Sequence, residues 1–105
     1  MKGFLFQVIP PRPDFGLTMS SGERETMTEH VVYWSGLIDQ GRVLAFGPVD
    51  DPLEPHGIGI VLAEDLRDAE ELRDRDPAMT SSRGFRTRIV PMPRLVTPNG
   101  SYDGG

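Results

Sequence analysis

Short apolar runs, each cut off by proline or glycine, alternate along this chain with two stretches of helical periodicity, and that order limits its fold more than any other feature. Residues 3–9 hold Phe4, Leu5, Phe6, Val8 and Ile9 in a run stopped by Pro10 and Pro11, which suits a buried strand better than a helix. Residues 10–19, with Pro10, Pro11, Pro13 and Gly16, read as a loop. Ser20-Ser21-Gly22-Glu23 then forms a capping box, Ser20 as N-cap and Glu23 answering its amide. Met27, Val31, Trp34 and Ile38 continue as one apolar stripe with His30 and Leu37 beside it, and Gly41 ends the helix where a left-handed residue is cheapest.

Residues 42–49 and 57–63 are apolar and strand-like, joined by the turn-rich residues 50–56. Asp65 can cap a short helix with Leu66, Ala69 and Leu72 on one face, and Pro77 stops it by biasing Asp76 away from helical geometry. Phe85, Thr87 and Ile89 alternate with Arg86, Arg88 and Val90 in a last strand. Residues 1–96 thus make one domain, and 97–105 read as a mobile tail.

Strand, helix, two strands, helix, strand is an α+β split β-α-β order, in which two helices cover one face of a four-stranded antiparallel sheet. The uncovered face of such a sheet should be polar. Here Val43-Leu44-Ala45-Phe46 and Ile58-Gly59-Ile60-Val61-Leu62-Ala63 are apolar at both parities. The simplest cover for the second face is the same sheet from another copy, so a homodimer packed sheet to sheet is expected.

Charge narrows the function. The 105 residues carry Lys+Arg 11 against Asp+Glu 16, a net charge of -5, with no dense basic cluster. Binding to nucleic acid through its phosphates is therefore not expected. The absence of cysteine excludes disulfides, thiolate nucleophiles and Cys-based metal sites. No apolar stretch approaches the about 20 residues of a membrane span. The N-terminal apolar run is too short for a signal-peptide core, so a cytoplasmic location is expected.

Following the chain up and down through these elements brings residues 10–19, the first half of the first helix with His30, the Gly47-Pro48 strand exit and Asp76-Pro77 to one end of the domain. A carboxylate accepting from one imidazole nitrogen leaves the other free for acid/base work. Glu29-His30, Gly41-Arg42-Val43-Leu44 leading to Gly47-Pro48, and Asp74-Arg75-Asp76-Pro77 together resemble the YCII-related family, over roughly residues 3–95. That resemblance implies a ferredoxin-like fold, a dimeric α/β barrel, and a catalytic His–Asp pair at His30 and Asp76, with Gly47 and Pro48 shaping the pocket wall. Ala78 departs from the large apolar residue usual after such an Asp-Pro, and the proline-rich loop is distinctive.

Two further residues are candidates for the substrate wall. Trp34, one turn after His30, belongs to the core stripe with the pocket wall as a second role, and Arg12 in the loop could meet an anionic group. His56 with Asp50 or Asp51 lacks paired metal-ligand spacing, so no metal is expected. Ser81 and Ser82 lack a nucleophile elbow. The resemblance and the residues together imply a small cofactor-independent enzyme, using His30 as general acid/base oriented by Asp76 for elimination or isomerisation of a small cyclic or carbonyl metabolite. The rival is a dimeric module that binds a small molecule, or assists another enzyme, without turnover.

Overall fold

β1 (Lys2–Ile9) is the spine of the domain, hydrogen-bonded antiparallel to β3 (His56–Ala63) on one side and β4 (Arg86–Met92) on the other. β2 (Val43–Val49) pairs with β3, completing a four-stranded antiparallel sheet of order β2-β3-β1-β4. The computed structural model describes every residue except Gly105. Four helices accompany the sheet, α1 (Phe15–Thr18), α2 (Ser21–Asp39), α3 (Leu66–Asp74) and α4 (Pro77–Thr80), and the chain is α+β as expected. No described helix is long and apolar enough to cross a membrane.

The core lies between the helices and one face of the sheet. Phe4, Phe6, Val8, Val43, Val61 and Ala63 from the strands meet Trp34 and Leu37 of α2 and Ala69 and Leu72 of α3. Gly59 is where α2 comes closest. The Trp34 ring lies on its Cα where any side chain would overlap it, and the indole packs edge-on against Phe6 with ring centroids 5.7 Å apart. Residues alternating with these, Leu5, Ile58, Ile60 and Val90, occupy the opposite face and are only half-buried.

α2 begins as expected. Ser20 accepts from the Glu23 amide and Glu23 from the Ser20 amide, and Gly41 follows the helix at φ 75°. Its buried face is displaced from the expected stripe, because Glu23, Thr26, His30, Trp34 and Leu37 turn inward while Val31 and Ile38 remain 47% and 41% exposed. Glu23 and His30 hold inward positions because Arg12 and Asp76 partner them there, so apolar periodicity alone points one residue away.

Three further segments differ from expectation. Residues 10–19 contain the single turn α1, whose Phe15 is buried edge-on against Phe85. Pro77 does end α3, but it also opens α4 as the first helical residue behind the N-cap Asp76. Residues expected to form a mobile tail instead carry β6 (Gly100–Asp103), paired with β5 (Arg94–Thr97). Pro98-Asn99-Gly100 makes the turn, with Gly100 at φ 136°, and Leu95 is buried over Gly3.

Residues 10–19 are clamped to the head of α2. Arg12 donates to both carboxylate oxygens of Glu23 at 2.8 Å, and also to the Thr18 hydroxyl and carbonyl. The Arg12 guanidinium, with the Ser20 amide second, holds the Glu23 carboxyl at about 2 instead of 4.5. A carboxyl lowered on folding stabilises the native state above its unfolded value, and that contribution is lost as pH falls from about 4.5 towards about 2. Glu23→Gln, followed by urea unfolding at stepped pH, is expected to flatten the acid limb of stability in that window. An unaltered acid limb would contradict the clamp.

Candidate active site

Asp76 is the most enclosed ionisable group of the site, 2% exposed at the junction of α3 and α4. The proline after it keeps its backbone extended, at φ -65° and ψ 128°, so that its side chain can turn back and cap α4. Its carboxylate then collects donors from three places. The Ala78 amide donates to Oδ1 at 2.9 Å, and Trp34 Nε1–H donates to Oδ2 at 2.8 Å. His30 Nδ1 lies 2.8 Å from both oxygens, although the two residues are 46 apart in sequence.

These partners assign the imidazole tautomer. An ionised carboxylate only accepts, so the proton of the third contact sits on His30 Nδ1, and Nε2 is left as the acceptor of the neutral ring. No other side chain or backbone group among the described residues hydrogen-bonds that ring, while Trp34 flanks it with ring centroids 5.8 Å apart. Tyr33, the residue before Trp34 on α2, ties the helix to α3 by donating to the Leu72 carbonyl at 2.7 Å. Burial, reinforced by the Asp76 charge, pushes its phenol above the ordinary range and keeps it a donor.

His30 opens onto a cavity of about 570 Å³, within the range of small-molecule sites. α2 supplies Met27, His30 and Trp34 to its wall, and β2 supplies Phe46, Gly47 and Pro48. The clamped segment contributes Pro10, Pro13, Phe15 and Met19. Asp76 does not line the cavity and stands behind His30. Of the residues singled out from sequence, His30, Trp34, Gly47 and Pro48 therefore meet at one cavity, and Trp34 additionally orients Asp76 through its indole N–H. Arg12 is absent from the wall, its guanidinium being held by Glu23 and Thr18.

Sequence reasoning placed Asp50 and His56 in a loop without linking them to this end of the domain. Both line the cavity, since the β2–β3 register pairs Val49 with His56 beside the Gly47-Pro48 exit. His56 Nδ1 lies 2.8 Å from the Glu54 carbonyl, which can only accept, so this ring too carries its proton on Nδ1. Among the described residues no group of three or more His, Asp or Glu is arranged to hold a metal ion. Ser81 is engaged locally, donating to the Ala78 carbonyl at 2.8 Å.

Comparison with known proteins bears on what such a site is for. The YCII-related domain matches the chain over residues 8–93, which includes every residue that lines the cavity and leaves out residues 2–7 of β1. No curated protein matches the chain.

The tautomer assignment can be tested by the ¹⁵N chemical shifts of the His30 ring in the wild-type protein, at a pH where the ring is neutral. Nδ1 is expected at the protonated position and Nε2 at the unprotonated one. The reverse pattern would contradict the assignment.

Proposed function

This chain belongs to the YCII-related domain family, and we propose that it is a small cofactor-independent acid/base enzyme with His30 as the proton-transfer group. One observation carries the reading. A carboxylate buried out of reach of any ligand fixes one nitrogen of an imidazole whose other nitrogen is left without a protein partner at an apolar cavity. Second-partner carboxylates of this kind hold the ring in its orientation and stabilise the imidazolium that forms when it takes a proton.

In this mechanism Nε2 removes a proton from a carbon next to an electron-withdrawing group of a small cyclic or carbonyl metabolite. The C–H electron pair becomes a carbon–carbon double bond. In an elimination the leaving group departs with its own bonding pair. In an isomerisation the carbonyl π pair moves onto its oxygen as the double bond forms, and it re-forms the carbonyl when the imidazolium returns the proton at another carbon. Asp76 is a positioning residue and keeps its charge throughout. Burial of Asp76 and His30 strengthens the electrostatic coupling between the carboxylate and the developing imidazolium.

We further propose that the working unit is a cytoplasmic homodimer of ferredoxin-like domains, packed sheet to sheet as a dimeric α/β barrel. The strand order β2-β3-β1-β4 is the one that fold requires. Leu5, Ile58, Ile60 and Val90, half-buried on the face away from the helices, are the surface a second copy would cover.

Wild type and His30→Ala, screened against small ring and carbonyl compounds by thermal shift and then by turnover, separate catalysis from mere binding. The expected result is a folded variant that still binds but turns over about 10²- to 10⁴-fold more slowly, the range for loss of a general acid/base. Binding by both with turnover by neither would assign the site to a non-catalytic module. Sedimentation at micromolar concentration is expected to give twice the 11.6 kDa chain mass, and a monomer would remove the sheet-to-sheet assembly.

A further inference from the structure

The polar groups in the cavity wall share one property. His30 presents Nε2 as an acceptor because Nδ1–H is committed to Asp76. His56 presents Nε2 as an acceptor because its Nδ1–H is committed to the Glu54 carbonyl. Asp50, the only charged residue of the wall among the described residues, carries an acceptor-only carboxylate when ionised. With both rings neutral, each ionisable side chain of the wall therefore offers a lone pair, and none offers an N–H.

The wall also lacks a counter-ion for an anion. No lysine or arginine lines it. The guanidinium within the proline-rich segment, Arg12, is paired with Glu23 at 2.8 Å. His30 and Asp76 form a unit with no net positive charge even when the ring is protonated, and the whole chain carries -5. An anion brought here would lose its hydration against apolar carbon and meet acceptors and a carboxylate. A cation would likewise be desolvated by Phe15, Met19, Met27, Trp34 and Phe46, with only the exposed Asp50 to compensate.

We infer that this cavity takes uncharged, largely apolar molecules that donate through a hydroxyl or an N–H, and that it discriminates against carboxylates and other anions. The inference rests on the reading of the His30 cavity as the small-molecule site, and it adds the class of ligand. It also removes Arg12 as an anion anchor.

Four naphthalenes of common shape test it on the wild-type protein at neutral pH, namely 2-naphthol, 2-methoxynaphthalene, 2-naphthoate and 2-(aminomethyl)naphthalene. Affinity is read by calorimetry, and location by perturbation of the His30 and His56 ring signals. The naphthol is expected to bind about tenfold or more tightly than the methyl ether, the effect of leaving a buried acceptor unpaired. It should exceed the naphthoate and the ammonium by at least as much. A naphthoate or ammonium that equals the naphthol, a methyl ether that matches it, or a naphthol that leaves the histidine signals unmoved up to its solubility limit would each overturn the inference. These readouts need no turnover, so failure of the catalytic reading would leave the binding order standing, and a reversed binding order would leave the turnover comparison standing.

Discussion

The site depends on one buried carboxylate. An ionised Asp76 at 2% exposure would be strongly unfavourable alone, and three N–H donors from His30, Trp34 and the Ala78 amide remove that penalty. Each donor comes from a different local cause. The amide is there because Pro77 opens a helical turn, the indole because Gly59 lets Trp34 lie against the sheet, and the imidazole because it sits one helical turn before Trp34. Satisfying Asp76 therefore fixes the angular setting of α2, the start of α4 and the tautomer of His30 together. No buried side-chain polar atom is left without a partner among the described residues, as expected where a polar network is complete.

The same logic operates at the head of α2. Glu23 is simultaneously half of the capping box and the acceptor of a bidentate arginine, so the helix start and the proline-rich segment are held by one carboxylate. That segment roofs the cavity with prolines and aromatic carbon while its only cation is turned away into the clamp. Structure and selectivity follow from one contact: the residue that fixes the roof is also the positive charge that the cavity does without.

Much of this was legible in the chain. Capping box, glycine stop and proline punctuation are local signals with local causes, and the six elements they delimit recur in that order, with α1, α4, β5 and β6 added. The His30–Asp76 juxtaposition followed from running that order through space. What escaped was set by partners distant in sequence. The buried face of α2 includes Glu23, Thr26 and His30, which apolar periodicity cannot rank as inward. Arg12 looked free because its partner lies 11 residues away on the next element. His56 looked remote because only the β2–β3 register carries it to the cavity. The β5–β6 hairpin was hidden in a composition of Pro, Asn, Gly and Ser that reads equally well as unstructured chain.

Sequence by itself determined the six elements of the β-α-β-β-α-β order and, through that order, the end of the domain that His30 and Asp76 share, because caps, turns and alternation act between residues a few positions apart. Tertiary structure alone decided which groups are donors and which acceptors. A side chain's hydrogen-bonding role at a cavity is what remains after its other partners are satisfied, and those partners, Asp76 for His30, Glu54 for His56 and Glu23 for Arg12, are known only once the chain has closed around them.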